Sequence, residues 1–378
     1  MPWKDVTIVS QRYEFVRLYL DGTSSMTTLC RRFGVARKTA YKWVARYRAG
    51  GAEALMDQSR RPSTSPHQTP PDLAAQVLAL AEEHPTWGGK KLHFALRDDG
   101  MDPLPAPSTI TKILRRAGRL RDVPVAPRQY CRFERAVPNE LWQMDFKGWH
   151  AMRAGKVHPL SVLDDHSRYL LVLHATEDQD RAAIQPVLTA CFRTYGLPWE
   201  LLADNGPPWG TSEPHARTGL DIWLMQLGIT PIHGRPLHPQ TQGKIERFHR
   251  TLKADVFAGR TFVDLAEAQH AFDAFRQVYN DRRPHESVPD HQPPGRVYDL
   301  SPRAFPDTIP EPDYADDAQV RRVAHQGTIS YQRRRIRIGA GFAGMRVGVY
   351  PTDVDGLIRI QFYATTLKEV NLHDLAPT

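Results

Sequence analysis

Apolar residues recur every three or four positions through the first third of the chain, the spacing of helices that bury one face. Over residues 10–56 this spacing predicts three helices, with Gly34 as the turn before the third. The apolar stripe of the third helix consists of Ala40, Trp43, Val44 and Tyr47. Its opposite face consists of Arg37, Lys38, Thr39, Tyr41, Lys42 and Arg46. Because one face would dock the helix and the other would reach bases and phosphates, we predict a helix-turn-helix DNA-binding domain over residues 1–56.

A second helical stretch covers residues 72–118. Leu73–Glu83 is rich in Ala and Leu, the next helix opens at Lys90 and Lys91, and Ser108 is a suitable N-cap for a third helix. The outward face of that third helix includes Thr111, Lys112 and Arg115. We therefore predict a second domain that resembles a helix-turn-helix and adds Lys90, Lys91 and this face to the DNA contacts.

Two linkers border this second domain. Residues 57–71 are rich in Ser, Pro and Thr, and they contain Arg60 and Arg61 followed by a proline. An extended strip of this kind suits a narrow minor groove, where the negative potential is enhanced. Residues 119–137 form a basic linker to the next part of the chain.

From residue 138 short apolar runs alternate with amphipathic helices, which predicts a sheet with helices on both faces. The predicted strands are Leu141–Trp149, His158–Asp164, Tyr169–Thr176, Trp199–Ala203 and Ile229–His233. The predicted helices are Asp180–Tyr195, Thr218–Leu227, Thr241–Phe257 and Leu265–Asn280. We assign residues 138–284 to this central α/β core.

Short alternating segments return near the end of the chain. After a Pro-rich linker at 285–318, residues 319–378 predict six strands closed into a small β-barrel. Arg333 and Arg335 on this domain would contact the DNA backbone. The expected fold is thus multidomain, with N-terminal all-α helix-turn-helix modules, a central α/β core and a C-terminal small β-barrel.

Charge and cysteine usage narrow the class of protein. The net charge is +8, and residues 1–136 hold 23 Lys and Arg against 13 Asp and Glu, which points to a polyanionic partner at the predicted DNA-binding modules. The three cysteines are scattered without a Cys-x-x-Cys pair, which argues against a disulfide framework and a Cys-based zinc site. We find no signal peptide and no long apolar run, so we expect a protein of the bacterial cytosol or nucleoid.

Asp145, Asp204 and Glu246 are the candidate catalytic residues and metal ligands. The first two lie on apolar, strand-like runs and the third on an amphipathic helix, so burial is expected. Because a buried carboxylate is costly unless it is paired or bound to metal, three of them suggest a hard-oxygen site for two Mg²⁺ ions, with Mn²⁺ as a substitute. Such a site can run an in-line displacement at phosphorus. Taken singly, each acid could equally be a surface, turn or helix residue.

The residues around these acids resemble a known family. Asp-Asn-Gly begins at Asp204, and Pro-Gln-x-x-Gly-Lys-x-Glu-Arg surrounds Glu246. Both are similar to D,D-E transposases of the insertion-sequence type and to retroviral integrases, over roughly residues 138–285. The 41 residues between Asp204 and Glu246 exceed the usual integrase spacing. The resemblance implies a ribonuclease-H-like core and a homodimer or larger synaptic complex.

From this resemblance we expect a DNA transposase, a polynucleotidyl transferase and endonuclease. It would bind the terminal inverted repeats of a mobile element, cleave its 3′ ends and join them to target DNA. Phosphate contacts near Glu246 would come from Lys244, Arg247, Arg250 and Lys253. Two other functions stay open: a domesticated sequence-specific DNA-binding regulator, and a ribonuclease-H-like nuclease without strand transfer.

Overall fold

The computed structural model describes residues 7–58, 69–120, 134–204, 206, 209–210, 217–233 and 243–376. The chain forms two compact units, Met1–Gln68 and Thr69–Thr378, and each is described by itself. Within the described ranges, no helix is both long enough and apolar enough to cross a bilayer.

The first unit is a bundle of three helices. They are α1 (Ile8–Leu20), α2 (Met26–Phe33) and α3 (Arg37–Gly50), followed by a 3₁₀ turn at Glu53–Leu55. Thr7 and Ser25 cap α1 and α2 by accepting hydrogen bonds from backbone N–H groups of the first turn. Gly34 has φ 64°, a conformation that glycine adopts without strain, and it makes the turn between α2 and α3. The three predicted helices and this turn are confirmed.

The second unit begins with another three helices, α4 (Pro71–Glu83), α5 (Gly89–Asp98) and α6 (Pro107–Arg116). The predicted start of the third helix is wrong by two residues, because Ala106 rather than Ser108 is the N-cap. Pro107 takes the first helical position, where its fixed φ is favourable and its missing N–H costs nothing. Thr111 was predicted to face outward, but its hydroxyl donates to the carbonyl of Pro107 and packs against Gly89.

A six-stranded sheet forms the centre of the second unit. Its strands are β1 (Leu141–Phe146), β2 (His150–Ala151), β3 (Lys156–Asp164), β4 (Leu170–Thr176), β5 (Glu200–Ala203) and β6 (Thr230–His233). The order is β2-β3-β1-β5-β6, with β4 also paired to β3. β1, β5 and β6 run parallel, whereas β3 is antiparallel to β1. β1 ends three residues earlier than predicted, before Gly148 at φ 91°.

Helices cover both faces of this sheet, as predicted. On one face α7 (Arg181–Tyr195) and α8 (Gly219–Gln226) pack against a cluster that includes Trp142 and Met144. On the other face α9 (Gly243–Leu252) and α10 (Leu265–Asp281) pack against a second cluster. Because side chains alternate along a strand, Asp145 lies on the face of α9 and α10.

The predicted closed β-barrel at the C-terminus is wrong. β7 (Gln319–Arg322), β10 (Arg346–Pro351), β11 (Leu357–Phe362) and β12 (Thr365–Asn371) form an open antiparallel sheet in the order β12-β11-β10-β7. β8 (Thr328–Tyr331) and β9 (Arg334–Arg337) form a separate hairpin. In the part of the chain that the structure describes, no ladder joins these two sheets into a barrel. Sheet and hairpin bury one shared apolar core, which also takes in Ile222 and Met225 of α8.

Candidate active site

The three candidate acids lie where elements of the core end or begin. Asp145 is the penultimate residue of β1, Asp204 directly follows β5, and Glu246 is in the first turn of α9. β1 and β5 are parallel neighbours, with Gln143 opposite Leu202. Continuing this register by two residues places Asp145 and Asp204 side by side at the carboxyl edge of the sheet.

The pKa of Asp145 shows that the other two acids act on it. The pKa of Asp145 is raised from its ordinary value of 3.8 to about 7, chiefly by burial, then by the charge of Asp204 and, to a smaller extent, by that of Glu246. The backbone N–H of Phe146 and the charge of Lys147 act in the opposite direction but do not offset these effects. The side chain of Asp145 is 20% exposed. The edge of the sheet is therefore a place of unbalanced negative charge.

This donor set fits a hard divalent cation. Carboxylate oxygens are the ligands that Mg²⁺ and Mn²⁺ prefer, and a nearby cation would counteract the burial and the repulsion that raise the pKa of Asp145. Among the described residues, no group of three His, Cys, Asp or Glu side chains already stands close enough together to hold a metal ion. It is the chemistry of the three carboxylates that matches such an ion.

A histidine–aspartate pair supports the backbone at Asp204. His233 at the end of β6 places Nδ1 3.1 Å from the Asp204 carbonyl and Nε2 3.0 Å from Oδ1 of Asp221. Burial lowers the pKa of His233, but the hydrogen bond and charge of Asp221 outweigh it, and the net pKa is raised. Asp221 is itself held by a capping box with Thr218 at the start of α8. The backbone N–H of Gly206 donates to Oδ1 of Asp204 at 3.0 Å.

A buried ion pair fixes the start of α9. Lys244 Nζ lies 2.5 Å from Oδ1 of Asp165, and the Lys244 side chain is only 16% exposed. Gln143 joins the same cluster, since it donates to Asp165 at 2.8 Å and accepts from the N–H of Ile245 at 3.4 Å. The ammonium group of Lys244 is engaged in this anchor, and its predicted contact with DNA stays a prediction. Glu246, two residues on, is exposed.

His249 is a site residue that the sequence analysis did not identify. It is buried on α9, with Nε2 2.8 Å from Ser161 Oγ and Nδ1 3.6 Å from Oδ2 of Asp145. Burial, followed by the charge of Lys147, lowers its pKa to about 3, so the imidazole is neutral. Its helical spacing of three residues from Glu246 was the signal that could have placed it on a neighbouring part of the helix surface.

The structure also places the predicted DNA contacts. Most of them are exposed: Arg37, Lys38, Thr39, Tyr41, Lys42, Lys90, Lys112, Arg115, Arg247, Arg250, Lys253, Arg333 and Arg335. Arg46 packs over the ring of Trp43 and donates to Gln58, and Lys91 is partly buried, which lowers its pKa. Arg60 and Arg61 lie outside the described residues. For all of these predicted contact residues, the role as a DNA contact remains a prediction.

Asp145→Asn should make the metal-free protein more stable at high pH. The pKa of Asp145 in the folded protein is raised to about 7. The contribution of this carboxyl group to the free energy of unfolding therefore falls as pH rises from about 4 to about 7, and it stays low above that range. Above pH 7 the variant should be more stable by roughly 1–3 kcal/mol, and the difference should vanish near pH 4. Denaturant unfolding in chelator measures this. A variant less stable than wild type at pH 8 would contradict the charge repulsion inferred for this edge.

Family models match residues 11–114, 135–293 and 318–376 of the chain. Family profiles match a helix-turn-helix domain at residues 11–63 and a homeodomain-like domain at 39–114. The integrase core domain matches at 135–239 and again at 227–293. The C-terminal domain of the IS481 family transposases matches at 318–376.

Two curated relatives come from insertion elements. The chain is 26% identical over 268 residues to the insertion element IS476 uncharacterized 39.2 kDa protein of Xanthomonas euvesicatoria, covering 68% of this chain and 73% of that protein. It is 27% identical over 222 residues to the IS407 uncharacterized 31.7 kDa protein of Burkholderia multivorans, covering 57% and 77%. Among solved structures, the HTLV-2 integrase catalytic core domain in complex with magnesium aligns at 14% identity, covering 43% of this chain and 97% of that one, with a TM-score of 0.33.

Proposed function

Because the chain is an insertion-sequence transposase with an integrase-like core, we propose that it cleaves the 3′ ends of a mobile element and joins them to target DNA. The observation that carries this proposal is that Asp145 and Asp204 lie side by side at one edge of the core sheet, where the charges of Asp204 and Glu246 both act on Asp145. Carboxylates placed in this way suit metal-assisted displacement at phosphorus rather than acid–base chemistry by a histidine.

In this proposal Asp145, Asp204 and Glu246 hold two Mg²⁺ ions, for which Mn²⁺ can substitute. When bound, these ions supply activation of the attacking oxygen and stabilisation of the leaving oxygen. The three acids serve as ligands, so the same site suits both cleavage, with water as nucleophile, and joining, with the 3′-OH. His249, neutral and held by Ser161, packs beside Asp145 and restricts where that carboxylate can lie.

The remaining parts of the chain serve DNA binding in this proposal. Residues 1–56 and 72–118 read the terminal inverted repeats, and Arg333 and Arg335 of the C-terminal domain contact the backbone. Arg247 and Arg250 are exposed on α9, the helix that carries Glu246, and Lys253 is exposed just after its end, where these side chains can bind phosphates. Because two element ends must be joined together, the active form is a homodimer or larger synaptic complex.

A gel assay tests this function. The full chain is incubated with duplexes carrying the ends of the element that encodes it and with a target plasmid. Transposition predicts both nicks at the 3′ ends and larger joined products. Nicks without joined products would indicate a nuclease, and binding without either would indicate a regulator.

Lys42→Ala tests the role of α3. The side chain is exposed on the polar face of α3, so its loss should weaken binding to terminal-repeat DNA. If Lys42 contacts phosphate, binding to all sequences should weaken by a similar factor, and the salt slope of log affinity should become shallower by about one. Lys156→Ala is the matched control, since it removes the same charge from an exposed position at the start of β3. Equal effects from the two variants would show that α3 has no special part in binding.

A further inference from the structure

One tryptophan near the proposed active site, Trp149, makes no ring contact with another residue that the structure describes. Trp149 lies between β1 and β2 and is 63% exposed. Trp199 is the other tryptophan among the described residues with comparable exposure, at 59%, and the guanidinium of Arg303 covers its ring at 4.3 Å. Burying an indole is strongly favourable, so an exposed indole offers a ligand an energetically useful contact surface.

The backbone on both sides of Trp149 is fixed. The N–H of Lys147 donates to the carbonyl of Pro159 at 3.1 Å, and Gly148 makes the turn with φ 91°. On the other side His150 pairs with Val157 across β2 and β3, and its ring stacks on Phe257 at 3.7 Å and 10°. The indole of Trp149 is therefore presented to solvent by an ordered segment rather than left there by a loose loop.

The position of Trp149 suits a nucleic-acid strand at the active site. It follows Asp145 by four residues, so their Cα atoms are at most about 14 Å apart, or about four nucleotide steps along one strand of B-form DNA. Positive charge flanks it, because Lys147 and Lys253 both act electrostatically on the adjacent His150. An aromatic ring beside cationic side chains is the arrangement by which proteins hold unpaired bases.

We propose that Trp149 is a base-stacking platform that binds one nucleobase released from the duplex beside the cleaved phosphate. Asp145 is only 20% exposed, so the phosphodiester has to enter a recess, and opening the terminal base pairs lets a strand do so. A base freed in this way loses its stacking neighbours, and the indole face replaces them. This inference rests on the proposed function, because it takes DNA to be the molecule at the three acids.

The test compares wild type, Trp149→Ala, Trp149→Phe and Trp199→Ala in the full chain. The probes are two short duplexes that carry 2-aminopurine near one end, one fully paired and one with mismatched terminal base pairs. Binding is measured at one fixed salt concentration, together with quenching of the 2-aminopurine fluorescence by stacking. Because Trp149 is largely exposed, its replacement should leave the folded state intact.

Wild type and Trp199→Ala should prefer the mismatched duplex and quench its fluorescence. Trp149→Ala should lose roughly 5- to 100-fold in affinity for that duplex, the equivalent of stacking one base, with little change for the paired one. Trp149→Phe should retain part of the preference. Unchanged preference and quenching in Trp149→Ala would overturn the proposal, as would a variant that changes only the self-association of the protein.

The experiments distinguish a failure of the base-stacking proposal from a failure of the proposed strand joining. Asp145→Asn should keep the preference for mismatched ends, because stacking does not need the chemistry. If wild type joins no strands but its preference for the mismatched duplex depends on Trp149, the base-stacking site is supported and the proposed strand joining is refuted. If wild type joins strands and Trp149→Ala binds and quenches as wild type does, the proposed function is supported and the base-stacking role of Trp149 is refuted.

Discussion

Asp145→Asn, Asp204→Asn and Glu246→Gln should each lower cleavage and joining by at least about a thousandfold. Each substitution removes a negative oxygen ligand, and a metal ion at such a site supplies several kcal/mol of transition-state stabilisation. DNA binding should stay near the wild-type level, because the helix-turn-helix domains lie in other parts of the chain. Rates come from gel assays of nicked and joined products, and binding comes from electrophoretic mobility shift.

Glu177→Gln is the matched control for these variants. Glu177 is an exposed acid just after β4, and the same loss of one charge there should leave cleavage and joining unchanged. Joining at the wild-type rate by any of the three active-site variants would remove that residue from the proposed site. Loss of DNA binding in parallel with activity would mean that the substitution had damaged more than metal ligation.

Activity should require Mg²⁺ or Mn²⁺ and should disappear in Ca²⁺, even where Ca²⁺ still supports assembly on DNA. All three proposed ligands offer hard oxygen atoms, which disfavours a site built for Zn²⁺. Ca²⁺ binds the same ligands but prefers longer bonds and a looser geometry, so attacking and leaving oxygens would not be held for in-line displacement. The measurement is strand transfer with each ion in turn after chelator treatment.

Thermal unfolding separates metal binding from catalysis. Mg²⁺ should raise the unfolding temperature of wild type, because a ligand that binds only the folded state stabilises it, and this increase should shrink in Asp145→Asn. Full activity in chelator, or dependence on Zn²⁺ alone, would refute the carboxylate mechanism. An equal Mg²⁺ effect in wild type and Asp145→Asn would place the ion elsewhere.

Periodicity predicted most elements because each depends on local spacing. The apolar stripe of α9, with Ile245, Phe248 and Leu252 buried, follows from residues three and four apart. The two layers of helices follow from the change between helical and strand spacing after residue 138. The closed barrel was a wrong extrapolation, since alternation along β10 and β11 specifies which face is buried but not which edges pair.

The contacts around the acids could not be predicted in the same way, because they join residues far apart in the chain. His249 meets Ser161 across 88 positions, and Lys244 meets the carbonyl of Asp165 across 79. Local sequence made Lys244 look like one of several basic residues on α9. Only the packing of α9 against the sheet shows that Lys244 forms a buried ion pair with Asp165.

If this chain joins 3′ ends to target DNA at Asp145, Asp204 and Glu246, the reaction depends on the chemical group at the end of the DNA strand. Duplexes of the element end, already cleaved, are prepared with either a 3′-OH or a 3′-deoxy terminus and incubated with wild type, target plasmid and Mg²⁺. We expect joined products from the 3′-OH duplex, none from the 3′-deoxy duplex, and none from either duplex with Asp145→Asn. Equal products from both ends, or plasmid nicking without joined products in every reaction, would show that this chain does not join 3′ ends in this way.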